Sequence, residues 1–417
     1  MGSAKAPRFS RVLVLARMSM AAWLSMWLQR FGCGCRLRLI LLFLAGSAFL
    51  MGCGDPVSRH ESTGFAAMGL VEALGGNDSS GYLRATAPRD FVFPDDHAAH
   101  DGFRNEWWYV TGNLDTAEGA RIGFHITFFR VALAPEFGGE EGFRGSPWVT
   151  RHIWMGHSAI TDMARDRHVS EERFAREAVG LAGALERGAR VWLEDWSLSG
   201  LDSETWQLEF GAGQYRLRLD LQPLREPVLQ GDGGLSQKGR ESGNASFYYS
   251  LPRLRVQGEL VDEQGPREVS GQAWLDREWS TSVLEDGQVG WDWFALQFDS
   301  GDDLMFYQLR RDDGSTDALS KGRWMPANAA DRGLQVEDVD LRPLRHAVMP
   351  SGRRYPVVWS MRLWEHGEEW TIAAVRDVQE MDSFIPYWEG AVDILDGSGR
   401  LIGRGFVEMT GYDAGLP

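Results

Sequence analysis

Histidines and carboxyls crowd one short stretch of the chain, Asp95, Asp96, His97, His100, Asp101 and Glu106. These are metal-ligand types, and a His-x-x-His pair such as His97 and His100 can chelate an ion where a turn brings the rings together. The stretch follows Pro94 and precedes an alternating segment, so its side chains fan out from a loop instead of sharing a helix face. Capping and loop-bracing hydrogen bonds are the expected role, and neither a metal nor any other cofactor is predicted. Nucleophilic chemistry finds little support. Ser158 follows Gly156-His157 but precedes Ala159, so no Gly-x-Ser-x-Gly elbow exists there, and Ser236 sits in Gly234-Leu235-Ser236-Gln237-Lys238. Lys238 lacks the glycine spacing of a phosphate loop, which leaves Gly231 to Gly239 as a structured turn.

Aromatic residues form the second concentration. The chain has 18 tryptophans, several of them close in sequence to Tyr109 and to the carboxyls of Asp276 and Asp292. Most must be core, yet Trp and Tyr rings along a barrel wall also suit an apolar or amphipathic ligand. Trp107, Trp108, Tyr109, His125, His157, Tyr248, Trp291 and Tyr307 are the predicted ligand contacts on that ground. For His125 and His157 a satisfied structural histidine is the competing expectation.

The elements that must position these groups are strands. Ile122, Phe124, Ile126 and Phe128 alternate with their neighbours, as Tyr215, Leu217, Leu219 and Leu221 alternate with Arg216, Arg218 and Asp220. Turn signals recur at short intervals, as at Gly211-Ala-Gly213 and Asp313-Gly314, which suits antiparallel meanders. Only Ser170 to Leu185 reads as a short helix, with Ser170 as cap and Phe174, Ala178 and Leu181 on one face. The hairpin beginning WWYVTGNLD at Trp107 has a counterpart beginning WDWFALQFD at Trp291. That repetition predicts two successive β-domains, 87–272 and 273–417. Closing each sheet into a barrel removes its edges, and a small barrel can hold one apolar ligand.

The N-terminal 52 residues carry Lys and Arg but no Asp or Glu, and an apolar run from Leu39 to Leu50 follows Arg36 and Arg38. The run is short for a membrane span, which takes about 20 residues. It ends in Leu50-Met51-Gly52-Cys53, the pattern of a cleaved lipoprotein signal peptide that leaves Cys53 acylated, palmitate being one such acyl group. Residues 53–86, rich in Gly, Ser and Ala, read as a flexible tether. With Cys33 and Cys35 in the discarded segment, the mature domain keeps no thiol for a disulfide or a Cys metal site. The formal net charge is −16, and loss of the basic leader makes the remainder more acidic still. Such a surface repels nucleic acid and anionic headgroups, so membrane attachment is expected through the lipid alone. Gly54 after the lipidated Cys points to the outer membrane, facing the periplasm.

The strings FPDDHAAHDGFRNEWWYVTGNL (Phe93 to Leu114), LQGDGGLSQKGRESGNASFYYS (Leu229 to Ser250), AWLDREWSTS (Ala273 to Ser282), GWDWFALQ (Gly290 to Gln297) and YWEG (Tyr387 to Gly390) carry a resemblance. Over nearly all of Phe91 to Tyr412 the chain resembles the AttH family, secreted lipocalin-like proteins similar to carotenoid 1,2-hydratases. The resemblance implies an all-β fold, a tandem of two lipocalin-like antiparallel β-barrels, and company with ABC-transporter permeases.

The hydratase side of the resemblance implies a definite chemistry. Adding water to an isoprenoid double bond requires a carboxylic acid held protonated, aromatic faces for a carbocation and an apolar wall. Asp276, Trp279, Asp292 and Trp293 are the candidate catalytic residues, with Asp276 or Asp292 as acid and the two indoles as cation stabilisers. The hydratase pattern has His where this chain has Arg277. An Arg beside a carboxyl stabilises the anion, the wrong direction for a proton donor. An Asp276–Arg277–Glu278 network bracing the seam between barrels is then expected. With Arg277 beside the candidate acid, the expected function is a lipid-anchored protein binding a hydrophobic small molecule or lipid, as an accessory to an ABC-transporter permease; the alternative is a hydratase-like hydro-lyase, and a hydrolase is not supported.

Overall fold

The computed structural model describes residues 79–135, 150–185, 190–282, 284–364 and 367–412. The expected signal peptide, Cys53 and residues 53–78 of the tether lie outside them; its last residues, 79–86, are held to the fold and do not act as tether, with Ala85 buried and the Leu83 amide donating to the Gly102 carbonyl at 2.8 Å. The described residues fold as strands joined by turns and short 3₁₀ segments, with no α-helix among them.

Four long strands open the first sheet: β1 (Asn105–Thr116), β2 (Arg121–Ala132), β3 (His152–Asp162) and β4 (Arg167–Arg176). Shorter ones follow: β5 (Ala182–Ala184), β6 (Arg190–Leu193), β7 (Trp196–Ser199), β8 (Trp206–Ala212), β9 (Tyr215–Pro223), β10 (Val228–Leu229) and β11 (Leu235–Gln237). The long pair β12 (Ala245–Asp262) and β13 (Gly265–Ser280) completes it. The second sheet holds β14 (Gln288–Phe298), β15 (Asp303–Arg311), β16 (Lys321–Met325), β17 (Arg332–Gln335), β18 (Val339–Val348), β19 (Arg354–Leu363), β20 (Glu369–Ala374), β21 (Trp388–Leu395) and β22 (Leu401–Met409).

The two sheets share one plan. Spatial order is β4-β3-β2-β1-β13-β12-β9-β8-β7-β6-β5 in the first and β17-β16-β15-β14-β22-β21-β20-β19-β18 in the second. Each begins with a four-strand meander whose opening strand then pairs antiparallel with the last strand of its sheet, β1 with β13 and β14 with β22. The two aromatic hairpins of the sequence are the two openings. Both sheets curl, one into a nearly closed barrel and the other into a half-barrel, a tandem of lipocalin-like type. In the first, β3 reaches across to β8, where Ser158 Oγ donates to the Gly211 carbonyl at 2.8 Å. β3 also packs closely on β6 and β7 at Gly156, where a Cβ would stand 2.5 Å from the Leu193 side chain and 3.0 Å from the Trp196 ring.

Two expectations change position. The stretch from Ser170 is not helical, because Arg167–Arg176 forms β4, paired along its length with β3. Strand pairing satisfies that backbone where the isolated sequence offers only a helical turn, and a short 3₁₀ segment, Ala178–Gly180, follows. The 272/273 boundary falls inside β13, whose residues Ala273 to Ser280 pair with Asn105 to Gly112 of β1. The chain passes between sheets after Ser280 and before Gln288.

Aromatic and aliphatic side chains pack the interiors of both sheets, with a pocket left at the Phe298, Trp324 and Trp370 end of the second. Trp108, Trp154, Trp196, Trp206 and Trp279 pack with aliphatic residues inside the first, and Phe294, Phe306, Trp359, Trp370 and Trp388 inside the second. A third apolar cluster lies in the seam between the sheets, with Tyr109, Tyr248, Trp274, Trp293, Met305, Tyr307 and Phe406. Where they meet the seam, as at Ala245–Pro252 of β12 and Ala273–Ser280 of β13, the strands β1, β12, β13, β14, β15 and β22 therefore have both faces buried. The sheets approach closely at Gly123, where an added Cβ would stand 2.8 Å from Ala391 Cβ. Hydrogen bonds from Asn113 Nδ2 to the Gly405 carbonyl and from Gln297 Nε2 to the Pro252 carbonyl tie the seam, as does the Arg404–Asp115 ion pair.

Candidate active site

A cleft of about 470 Å³ opens in the seam, not in either lumen. Its walls come from the outward faces of β1, β2, β3, β12 and β13, from β14, β15 and β22 of the second sheet, and from the segment around Phe384 to Tyr387. Phe129, Val131, Met155, Trp107, Trp291 and Leu309 make most of it apolar. Leu133, Phe174 and Phe384 expose much of their surface at its rim.

Strand parity decides which predicted residues reach it. Successive side chains of a strand point to opposite faces, so on β13 Asp276 and Glu278 face the cleft while Arg277 and Trp279 face the first interior. On β14 Trp291 and Trp293 face the cleft, and Asp292 turns the other way. Of the predicted catalytic residues, Asp276 and Trp293 are in the site; Trp279 and Asp292 are not. Trp279 stacks on His100, centroids 3.6 Å apart. Asp292 is held by Tyr412, Arg310 and Gln308. Of the predicted ligand contacts, Trp107, Tyr109, His157, Tyr248, Trp291 and Tyr307 line the cleft. Trp108 points inward and donates from Nε1 to the His97 carbonyl at 3.0 Å, and His125 is buried in the seam behind the cleft.

The same parity removes the objection raised by Arg277. Its guanidinium donates to the Trp107 carbonyl at 2.7 Å, to the Ala98 carbonyl at 2.6 Å and to Glu106 Oε1 at 2.7 Å, and lies 3.9 Å over the Trp108 ring. It compensates Glu106 within the first barrel, holding that carboxyl low against the opposing effect of burial with help from Arg130. The expected Asp276–Arg277–Glu278 seam network does not form. His97 and His100 belong to the same interior assembly: His97 Nδ1 is 2.6 Å from Tyr249 Oη, and His100 bonds Glu106 and Asp96. No group of three or more His, Cys, Asp or Glu is arranged to hold a metal among the described residues.

Asp276 is surrounded by neutral donors. Trp274 Nε1 donates to Oδ1 at 2.7 Å, Ser250 Oγ to the same oxygen at 2.5 Å, and the Tyr248 hydroxyl meets Oδ2. Tyr248 also accepts from Trp293 Nε1 at 3.1 Å. Burial pushes the Asp276 carboxyl up to about 7, outweighing the hydrogen bonds that favour the anion, and nearby Glu278 adds to the rise. A second raised carboxyl stands in the same cleft. Glu408, opposite Trp293 in the β14–β22 ladder, accepts from Trp291 Nε1 at 2.8 Å, and burial carries it up to about 7 with repulsion from Asp276 and Glu278. Lys238 supplies the only lysine among the cleft-lining residues; it pairs with Glu278 at 3.3 Å and sits 3.9 Å over the Tyr307 ring.

Behind Glu408 the seam is polar. His157 Nδ1 is 2.8 Å from Tyr387 Oη and its Nε2 3.0 Å from Glu172 Oε1. Glu389, fully buried, is pushed well up by burial and by Glu408, against the neighbouring phenols of Tyr109 and Tyr387. Glu278, Glu408, Glu389, Tyr387, Glu172 and Lys238 were not among the predicted site residues. Glu408 had a signal, a lone carboxyl inside the apolar run Gly405 to Met409, and Glu389 lies in the YWEG string.

Comparison with known proteins agrees with this architecture. The AttH-like family model matches residues 84–412. A crystal structure of a protein assigned as AttH from Nitrosomonas europaea is 34% identical, covering 79% of this chain and 100% of that one, with a TM-score of 0.71. Kievitone hydratase from Nectria haematococca is 12% identical over 80% of this chain and 97% of its own, with a TM-score of 0.58, a likeness of fold. No curated protein matches significantly. With the match running through both sheets and the seam that holds the cleft, the chain belongs to the AttH-like family.

Proposed function

We propose that this protein binds an apolar, isoprenoid-like molecule in the inter-sheet cleft and adds water across one of its double bonds. The observation that carries the reading is Asp276: a buried carboxyl in an apolar cleft, touched only by neutral donors and poised near neutrality. Protonation of an alkene needs such an acid. When Asp276 is protonated on Oδ2 it donates to Tyr248 Oη, which frees the phenolic proton to point into the cleft. Proton delivery thus runs through the Asp276–Tyr248 pair. The rings of Trp107, Trp291, Trp293 and Tyr307 line the space where a carbocation would form. Kievitone hydratase, by its name a water-adding enzyme, has the same fold. Acylated Cys53 would hold the protein at a membrane surface, where apolar substrates concentrate.

Binding alone, the competing function, needs the apolar walls but not the poised acid. The two separate with farnesol as probe, presented in detergent micelles in heavy-oxygen water. Product formation with label uptake, reduced about 100-fold or more in Asp276→Asn with farnesol binding retained, is the expected result. Turnover undiminished in Asp276→Asn, or binding with no turnover across a panel of isoprenoid alkenes, would refute the enzymatic reading.

A further inference from the structure

The cleft explains the acid but not the water. Its walls around the acid are largely apolar, and a reacting water held there by bulk exchange alone would be poorly placed. A polar compartment lies immediately behind. Tyr109 Oη, His125 Nε2 and both carboxyl oxygens of Glu389 are buried and complete no hydrogen bond of good geometry, although the Tyr109 and Tyr387 phenols lie close enough to the Glu389 carboxyl to favour its anion. His125 Nε2 stands 3.4 Å from Glu389 Oε2, outside hydrogen-bond geometry. A buried polar atom left unpaired is destabilising, and four such atoms in one place would be an unusual concentration in a native interior. Buried waters resolve such clusters by making 2–4 hydrogen bonds to the orphaned atoms.

The protonation states suit a water. Burial holds His125 neutral, its pKa well below the ordinary value, and burial together with the nearby Glu408 favours the neutral acid form of Glu389. Glu389 therefore offers one O–H and one acceptor oxygen, His125 one ring nitrogen, and Tyr109 a hydroxyl. Tyr109 belongs to both places: its ring lines the cleft 5.1 Å from that of Trp293, and its strand partner on β13 is Asp276. We propose that Tyr109, His125 and Glu389 form a built site for an internal water, and that this water is the one added to the substrate.

The second half of this inference rests on the hydratase reading; the first does not. In the reaction the Asp276–Tyr248 pair gives a proton to one alkene carbon, the π bond breaks and the cation forms on the other. The water oxygen closes the C–O bond, and its surplus proton passes to Glu408 as carboxylate. Return of that proton to Asp276 resets the site, so the balance is alkene plus water to alcohol. Glu389 is a positioning residue in this scheme, a donor that orients the water.

Crystallography of the wild-type protein at a resolution that shows ordered solvent tests the site directly. Density for a water within hydrogen-bond distance of at least two of Tyr109 Oη, His125 Nε2 and the Glu389 carboxyl is expected. A dry compartment, or direct closure of these atoms on one another, overturns the proposal. Glu389→Leu should lose the water and slow farnesol hydration about tenfold or more, while farnesol affinity stays within about twofold; Glu389→Gln, which keeps a donor and an acceptor, should retain the water and most of the rate. Unchanged turnover in a dry Glu389→Leu site overturns the role in supply while leaving the hydratase reading intact. Failure of Asp276→Asn to slow turnover defeats the hydratase reading and with it the role in supply, whereas the water site stands or falls on the density alone.

Discussion

Replacing Asp276 with Asn should change how stability depends on pH, by an amount that follows from where the carboxyl sits. The ordinary value of 3.8 and the folded value near 7 differ by about three units, and at about 1.4 kcal/mol per unit the shift is worth about 4 kcal/mol. The folded-state pKa is raised, so the contribution is fully present below about pH 4, where both states carry the proton, and is lost as pH rises towards about 7. Above that the native state bears a buried anion that the unfolded chain carries at no cost. The amide of Asp276→Asn preserves the shape and the neutral hydrogen bonding, with an N–H donor where the protonated Oδ2 met Tyr248, but does not titrate. The stability of Asp276→Asn relative to wild type should therefore rise by up to about 4 kcal/mol between about pH 4.5 and pH 8. Glu408 titrates over the same window in both proteins, and relief of its repulsion from Asp276 acts in the same direction. Urea midpoints followed by tryptophan fluorescence give the difference at each pH, provided the slope of the transition is unchanged. A stability difference that stays within about 1 kcal/mol across the range would refute the claim that Asp276 is held uncharged by burial.

Three further outcomes follow from the same geometry. Arg277→Met should cost about 3 kcal/mol or more in urea midpoint stability because Glu106 loses a buried counter-charge, yet should leave the pH signature of Asp276 in place; loss of that signature would mean that the two side chains do communicate. Trp291→Phe removes the donor that favours the Glu408 anion, so the basic requirement in the pH profile of farnesol turnover should move to higher pH, and a shift to lower pH would contradict the assignment. Gly123→Val places side-chain atoms against Ala391 across the seam and should lower stability by about 1–3 kcal/mol while weakening farnesol binding, read by fluorescence titration; unchanged binding would show that closure of the seam does not shape the cleft.

Much of this architecture is legible in the residues. The alternation through Ile122 to Phe128 gives the buried face of β2, and the doubled aromatic hairpin marks the opening strands of both sheets. Asp276, Trp293, Tyr248 and Tyr307 are recognisable as candidates because carboxyls and aromatic rings are dense in their segments. What sequence proximity misleads about is neighbourhood. Asp276 and Arg277 are adjacent in the chain and separated by the thickness of the sheet, as are Asp292 and Trp293. Counting by two from Trp274 would have grouped Asp276 with Glu278 and set Arg277 with Trp279, the division that the structure has. That count needs to know that both faces are buried, and a strand apolar on both faces shows no contrast from which to read which side is the interior. Ser170 to Leu185 fails for the complementary reason. An edge strand such as β4, half-exposed on both faces, carries too little alternation to outweigh a capping serine.

The position of the cleft follows from how such a pair of sheets can spare room for a ligand. Each interior is largely packed with tryptophan and aliphatic side chains, the second keeping a pocket at its Trp324 and Trp370 end, and emptying either core would sacrifice what holds that sheet curled. The seam is different, because its two walls are built by separate sheets, and each wall's geometry is fixed from behind by its own packed core. Polar groups can then be mounted on the seam faces of β1, β12, β13 and β22 while apolar residues on the opposite faces keep those strands anchored. This explains why the raised carboxyls of Asp276 and Glu408 stand on central strands that pair with the opening strand of each sheet. An acid that must stay buried without a counter-charge needs rigid neutral donors around it, and a strand pinned on its other face by Leu275, Arg277 and Trp279 supplies that rigidity. Arg277, which in the sequence stands against a proton donor, in the fold helps to hold one in place.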